Sequence, residues 1–145
     1  MPTKKKNRIS EEAIQAHLTL LQSIIQRMAT NSSSSKAWCI AIVSAMLVIV
    51  GEKGQANYLF ITYIPTLLFF SLDSYYLALE KSFRNSYNEF IDKLHEKKIK
   101  PADLYVIAPK GSFFNDIRKS LVSFSIWPFY GTLLGMAYFA KYLSY

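Results

Sequence analysis

Asp73 is the first residue that could do chemistry, because it directly follows an apolar run, Tyr58–Leu72, that carries no charge. An acidic side chain costs about 2.5–3.5 kcal/mol at the centre of a bilayer and less near its surface. Two interpretations are open. Asp73 either gates or lines a path for ions, or it anchors a helix at the membrane surface by pairing with Lys36. We favour the anchor.

The pairing of Asp73 with Lys36 follows from counting along a helical hairpin. The segment GEKGQAN, residues 51–57, separates two uncharged apolar runs. If this turn centres near residue 54 and both arms are helices, each residue rises by about 1.5 Å and antiparallel partners can be matched by number. The serines at 32–35 could break one arm and change this register. The matched positions are Lys36 with Asp73, Arg27 with Glu80, and Ile14 with Leu94; Arg84, one turn beyond Glu80, joins the candidate gating or interfacial ion pairs.

No motif in the sequence indicates catalysis. The chain lacks the phosphate-binding loop, the serine nucleophile elbow, the zinc-binding H-E-x-x-H and the redox C-x-x-C. His17 and His95 are far apart and have no metal-ligating neighbours, and Cys39 lies in an apolar run. We therefore expect no enzyme activity, no cofactor and no metal site.

Three apolar runs must position these residues. They are Ala37–Val50, Tyr58–Leu72 and Leu121–Ala140. A helix needs about 20 apolar residues to cross a bilayer, so the first run alone could also be the core helix of a soluble protein. The three together predict an all-α integral membrane protein with three transmembrane helices. The expected parts are a cytoplasmic N-terminal amphipathic helix (1–36), a transmembrane hairpin (37–80), a cytoplasmic helix extension and loop (81–120), and a third span with a short outer tail (121–145).

The basic residues predict the orientation of these spans. Six lie in residues 1–36 and nine in residues 81–119, whereas the turn has only Lys53 and the tail only Lys141. Positive charge collects on the cytoplasmic side of membrane proteins. We expect a multi-pass protein of the bacterial inner membrane, with its N-terminus cytoplasmic and its C-terminus outside. The net charge of +7 then indicates anionic lipid rather than nucleic acid as the partner.

Apolar residues recur every three or four positions in both cytoplasmic parts, which is typical of helices that pack along a seam. We therefore predict that the N-terminal helix packs on the cytoplasmic extension of the second span. Pro101 ends the pattern in that extension. The expected seam residues are Ile14, Leu18, Leu21, Ile25, Met28, Phe83, Tyr87, Phe90 and Leu94.

Small residues and prolines mark the spans. Gly131 and Gly135 form a GxxxG motif, which permits close contact between helices of one copy or of several. Pro65 and Pro128 fall inside the second and third apolar runs, where each is expected to kink its helix.

Two strings resemble a known type of protein. HLTLLQSIIQRMATNS at 17–32, followed by Lys36 and Trp38, and DSYYLALEKSFRNSY at 73–87 resemble small, mostly uncharacterised multi-spanning bacterial membrane proteins, some found with anti-phage defence genes. The resemblance implies a membrane effector that stays silent until a cytoplasmic sensor or signal triggers membrane damage. It assigns no active-site residue.

The expected function is therefore an oligomeric membrane effector that perturbs or permeabilises the inner membrane. Its expected partners are the lipid bilayer, further copies of itself, and a cytoplasmic sensor protein or small signalling molecule. One alternative is a non-conducting membrane anchor or assembly protein that recruits a soluble partner. Another is a small housekeeping channel or transporter, which is less supported because three spans do not indicate an inverted repeat.

Overall fold

The computed structural model describes residues 9–52 and 56–143 and is all-helical over them. It contains four α-helices and two short 3₁₀ helices. In chain order these are α1 (Glu11–Glu52), a 3₁₀ helix (Ala56–Thr62), α2 (Tyr63–His95), a 3₁₀ turn (Pro101–Asp103), α3 (Phe113–Leu121) and α4 (Trp127–Leu143).

Helix α1 runs without interruption for 42 residues, a length of about 63 Å. The hydroxyl of Ser10 accepts a hydrogen bond from the backbone N–H of Ala13 at 3.2 Å and so caps the first turn. The serines at 32–35 do not break the helix. Ser35 donates to the carbonyl of Asn31 at 2.9 Å, and Ser32 donates to Asp73 across the hairpin, so both hydroxyls are satisfied without unwinding the backbone.

Helices α1 and α2 pack antiparallel in the predicted register. Lys36 contacts Asp73, with its Nζ 2.6 Å from the carboxylate. Further along, the rings of His17 and Phe90 lie 4.3 Å apart. The N-terminal half of α1 therefore packs on the distal half of α2, as the two seams predicted.

The face of α2 that is buried differs from the predicted seam. Phe90 is buried, but Phe83, Tyr87 and Leu94 are only half-buried. Most of the buried positions of α2 are small residues instead, and at Ser82 and Ser86 the segment 101–121 lies directly against the helix. Helix α1 keeps Leu21 and Met28 buried, with Ile14, Leu18 and Ile25 half-buried. The small buried residues of α2 are Ser74, Ala78, Ser82 and Ser86.

Of the helices in the described residues, α1 alone is long and apolar enough to cross a membrane. The second apolar run is divided between the 3₁₀ helix and α2. The third is not the continuous helix that was expected. Helix α3 ends at Leu121, and α4, with 17 residues, begins only at Trp127. Three transmembrane helices are therefore not confirmed.

The break in the third run is a hydrogen-bonded turn. The carbonyl of Ser123 accepts from the backbone N–H groups of Ile126 and Trp127 at 3.0 and 3.1 Å. Pro128 follows as the second residue of α4 and Pro65 is the third residue of α2. Pro128 lies in the first turn of α4, where a missing N–H is tolerated, and Pro65 lies just after the 3₁₀ helix passes into α2. That either proline kinks its helix stays a prediction.

A compact apolar core joins α1, α2 and α4. Its buried members are Cys39 and Val43 from α1, Tyr130 and Leu133 from α4, and Ile126, the residue just before α4. Phe70 of α2 packs against them, with its ring 5.4 Å from that of Tyr130. Helix α4 thus packs against both helices of the hairpin.

Candidate functional site

Asp73 lies at the centre of a polar cluster between α1 and α2 and is completely buried, with 0% of its surface exposed. Lys36 Nζ lies 2.6 Å from Asp73 Oδ2, and the Ser32 hydroxyl donates a short hydrogen bond to Oδ1. Lys36 also donates to Ser32 Oγ at 3.3 Å. Ser32 and Lys36 are four residues apart on one helix, so they present both groups to the same carboxylate. The predicted Lys36–Asp73 pair is therefore present.

Tyr130 brings α4 to the same cluster. Its side chain is buried and its hydroxyl interacts electrostatically with Asp73. That hydroxyl has no hydrogen-bond partner of good geometry among the described residues. Tyr130 of α4 is thus buried beside the ion pair, and within the part of the chain that the structure describes the carboxylate of Asp73 is bonded by residues of α1 alone.

The cluster lies where the surface of the hairpin changes character. On α1, the residues before Lys36 expose polar side chains such as Gln26, Ser33 and Ser34. The residues after it expose large apolar side chains, among them Trp38, Ile40 and Ile42. The ion pair therefore marks a boundary between a polar half and an apolar half of the hairpin. In the segment after α2, Tyr105, Val106 and Phe114 also expose apolar surface on the polar side.

Burial makes this ion pair sensitive to the loss of either partner. Moving two charges out of water is costly, and their attraction repays that cost only when both are present. The Lys36 side chain is 20% exposed and can reach water, whereas Asp73 cannot. Loss of Lys36 therefore leaves the worse defect, an isolated buried carboxylate, for which about 3–5 kcal/mol is typical.

The second predicted pair, Arg27 with Glu80, does not form. Arg27 is exposed, and Glu80 instead bonds Arg84 on its own helix at 2.7 Å. A partner four residues away on the same helix is always within reach, whereas a cross-helix partner must overcome the side-chain entropy of two long residues. Arg84 and Glu80 therefore make an ordinary surface pair.

The glycines of the GxxxG motif have open space beside them. Among the described residues, a Cβ added at Gly131 or Gly135 would meet no atom of another element within 4 Å. Within that part of the chain, no other helix makes the close contact that these residues permit. A role in contacts between copies stays a prediction.

His17 forms a second buried site that the sequence did not reveal. Its Nδ1 accepts a hydrogen bond from the backbone N–H of Tyr105 at 3.0 Å, so this nitrogen carries no proton. Burial lowers the pKa of His17, and the charge of Asp103 opposes that shift. The sequence separation of 88 residues explains why no local pattern predicted this contact.

A surface ion network surrounds this histidine. Lys93 lies 3.2 Å from both Glu89 and Asp103, and Lys110 pairs with Glu89. Hydrogen bonds from Lys110 and Lys93 lower the pKa of Glu89. The backbone N–H of Lys100, and then Lys93, lower the pKa of Asp103. A cavity of about 90 Å³, enough for a few water molecules, is lined by His17, Glu89, Lys93, Asp103 and Lys110 among others.

The loop after α2 is held to that helix by polar contacts that were also missed. The Ser82 hydroxyl donates to Asp116 of α3 at 3.0 Å, and Asp116 is buried. Ser86 donates to the carbonyl of Ala108 at 2.7 Å, and the N–H of Lys110 donates to the carbonyl of Ser82. Within residues 9–52 and 56–143 no group of three His, Cys, Asp or Glu side chains could hold a metal ion.

Comparisons with known proteins add no family to this description. The sequence matches no protein-family model and no curated protein, and the fold matches no solved structure. The buried pair of Lys36 and Asp73, hydrogen-bonded by Ser32 and lying beside Tyr130, is accordingly the feature that supports a functional proposal.

Proposed function

We propose that this protein is an oligomeric membrane effector that perturbs or permeabilises the bacterial inner membrane when a cytoplasmic signal or partner acts on it. The observation that carries the proposal is the Lys36–Asp73 ion pair, buried where α1, α2 and α4 meet and where the surface changes from polar to apolar. In this proposal the pair is the anchor that holds the closed bundle together, because an ionisable group that loses its partner inside a membrane protein is costly.

The exposed apolar surface supports placement in a bilayer. On the apolar side of the ion pair, large apolar side chains are exposed on α1, on the segment 58–72 and on α4. A monomeric soluble protein would rarely expose such a surface to water. In this proposal the apolar run Ala37–Val50, the run Tyr58–Leu72 and α4 all cross the membrane, with the N-terminus inside and the C-terminus outside. The outward residues include Trp38, Ile40, Ile42, Val48, Ile49, Phe60, Ile64, Leu67, Leu68, Met136, Tyr138 and Phe139.

Continuous helices connect the cytoplasmic half to the ion pair. Helix α1 runs unbroken from the His17 site past Lys36, and α2 runs from Asp73 to Phe90. A ligand or sensor protein that moved the cytoplasmic ends would therefore move both partners of the pair. Three helices enclose no aqueous path alone, so the proposal requires several copies of the chain. A role in anti-phage defence rests on the resemblance of residues 17–32 and 73–87.

Lys36→Met tests whether the Lys36–Asp73 pair keeps the bundle closed, and the test does not require the trigger to be known. The substitution strands the Asp73 carboxylate in the bundle, so we expect the helices to separate and the cells to lose membrane potential upon expression. A potential-sensitive dye in a bacterial host measures this. The wild-type chain, expressed to the same level, should leave the potential intact.

Two further variants control the experiment. Asp92→Asn removes a carboxylate from an exposed position of the same helix and should leave the potential unchanged. The double variant Lys36→Met, Asp73→Asn removes both charges and should restore the intact potential. A Lys36→Met protein that accumulates in the membrane at wild-type level and leaves the potential intact contradicts the proposal.

The second candidate function is a non-conducting anchor that recruits a soluble partner. The ion network of Glu89, Lys93, Asp103 and Lys110, together with the His17–Tyr105 bond, favours it, because these contacts make the cytoplasmic half a well-ordered surface. A partner retained on the purified protein, with no permeability change in Lys36→Met cells, would support this function. A housekeeping channel would instead make the wild-type chain conduct without a trigger.

A further inference from the structure

Exposed aromatic side chains of α1, of α2 and of the turn that leads into α4 lie close to the level of the Lys36–Asp73 pair along the bundle axis. Trp38 of α1 is two residues from Lys36, and Tyr75 of α2 is two residues from Asp73. Trp38 is 64% exposed and Tyr75 44%. Because the helices are antiparallel and the ion pair sets their register, Trp38 lies about 3 Å from the pair on its apolar side and Tyr75 about 3 Å from it on its polar side.

The turn between α3 and α4 contributes to the same height. Asp116 of α3 accepts a hydrogen bond from Ser82, and Tyr130 of α4 packs on Phe70. The chain from 116 to 130 therefore runs antiparallel to α2 between these two contacts. Interpolation between them places Phe124 level with about residue 75 of α2, roughly 3 Å along the axis from Asp73 at 1.5 Å per residue. Phe124 is 89% exposed and Trp127, in the next turn, is 58% exposed.

Basic residues follow on the polar side of these rings. The same interpolation places Arg118 and Lys119 level with about residues 79–81 of α2, about two helical turns from Asp73. Both are exposed, and neither has an acidic partner among the described ion pairs. Lys81 of α2 lies at that height as well.

We propose that Trp38, Tyr75, Phe124 and Trp127 form an aromatic girdle that lies in the headgroup region of the inner leaflet, where Arg118 and Lys119 bind anionic phospholipid headgroups. Aromatic rings concentrate at membrane–water interfaces, and basic residues beside them are attracted to anionic lipid. The occupant of this surface is therefore lipid, and the turn at 122–126 serves to turn Phe124 outward towards it. The inference rests on the proposed membrane placement but not on permeabilisation.

Cysteine labelling in lipid nanodiscs tests the girdle. The native Cys39 is completely buried, so the reactivity of a new cysteine towards a membrane-impermeant maleimide can be followed above its background. With phosphatidylglycerol mixed into phosphatidylcholine, Phe124→Cys should react at least about tenfold more slowly than Asn88→Cys, an exposed position in the polar half. A tenfold factor corresponds to about 1.4 kcal/mol of protection.

Charge reversal tests the headgroup contact separately. Arg118→Glu with Lys119→Glu should make Phe124→Cys about tenfold more reactive in nanodiscs that contain phosphatidylglycerol, because two attractive charges become repulsive. In phosphatidylcholine alone the reversal should change the rate little. No change in the anionic nanodiscs would overturn the assignment of Arg118 and Lys119 to anionic lipid.

Ile64→Cys distinguishes failure of the girdle from failure of the membrane placement. Ile64 is exposed in the apolar half and should be protected in every nanodisc. If Ile64→Cys is protected while Phe124→Cys reacts as fast as Asn88→Cys, the girdle is wrong and the membrane placement stands. If Ile64→Cys reacts as well, the placement itself is wrong. A disulfide-linked dimer of Phe124→Cys would show a second copy, not lipid, on this surface.

Discussion

Asp73 and His17 are both ionisable residues buried between helices, yet they are accommodated in different charge states. The Asp73 carboxylate has an ammonium and a hydroxyl beside it, so its negative charge is balanced where it lies. His17 has the ring of Phe90 on one side and a backbone N–H at its Nδ1. An N–H donor requires an unprotonated acceptor, so the site favours the neutral imidazole.

The neutral state of His17 predicts a pH dependence of stability. Because burial lowers the pKa of His17 in the folded protein, the unfolded chain binds a proton first as the pH falls below the ordinary value of 6.5. The free energy of unfolding should therefore be highest at neutral pH and fall as the pH drops below 6.5. Thermal unfolding of the detergent-solubilised protein, followed from about pH 7.5 to about pH 5, measures the effect.

Each histidine can be tested by itself in that experiment. His17→Phe removes the titrating ring and should flatten the pH dependence between these limits. His95→Phe, at the exposed end of α2, is the matched control and should leave the dependence as in the wild type. Asp103 and Tyr105 face His17 from the loop; the pKa of Asp103 is lowered, so this carboxyl titrates below the window. An unchanged slope in His17→Phe contradicts the assignment.

At the scale of elements, the loop between α2 and α3 is fitted to α2 through small and polar residues. The contact between the loop and α2 depends on the backbone conformation of Gly111, because residues with a Cβ rarely adopt its φ of +114°. A Cβ there would lie 3.2 Å from Asp116 Oδ2 and 3.3 Å from Asn85 Nδ2. The turn therefore allows Asp116 to reach Ser82.

Gly111→Ala should lower the stability of the protein by about 1–3 kcal/mol, because strain in the backbone adds to crowding against Asp116 and Asn85. Gly51→Ala is the matched control. Gly51 lies within α1 with nothing within 4 Å of an added Cβ, so alanine there should raise stability by up to about 1 kcal/mol through its higher helix propensity. Chemical denaturation followed by circular dichroism compares the two. Equal effects of the two substitutions would contradict the role given to Gly111.

At the scale of the whole molecule, one side of α4 is buried against the hairpin and the opposite side is exposed. Ile126, Tyr130, Leu133 and Ala137, spaced by three or four residues, are buried against the hairpin. Gly131 and Gly135 lie on an exposed part of the helix with open space above them. The proposed function requires several copies, and this face is available for a contact between them.

Gly131→Leu with Gly135→Leu should weaken self-association in mild detergent, since leucine side chains would keep neighbouring backbones apart. Light scattering coupled to size-exclusion chromatography measures the mass of the complex. Thr132→Leu, at an exposed neighbouring position of the same helix, adds a side chain of the same kind and is the control for nonspecific effects of added apolar bulk. Complexes of unchanged mass in the double variant would remove these glycines from the interface.

The sequence by itself determined the helical hairpin and its register. Apolar residues every three or four positions and an assumed turn near residue 54 were enough to place Lys36 opposite Asp73, because an α-helix advances by a constant amount per residue. The predicted turn centre itself lies outside the described residues. The contact between the rings of His17 and Phe90 fits the same register, in which Ile14 was matched with Leu94. Local periodicity is sufficient wherever two uninterrupted helices are joined by a short connection.

Tertiary structure decided what lies against the hairpin. The bonds from Ser82 to Asp116 and from Tyr105 to His17 join residues far apart in sequence, and an irregular loop has no period from which they could be counted. The turn at 122–126 interrupts a run that composition alone would make one span, since backbone hydrogen bonds to Ser123 compete there with the helix. Burial of small residues in place of Phe83 and Tyr87 has the same origin, because a side chain is buried only where another element packs on it.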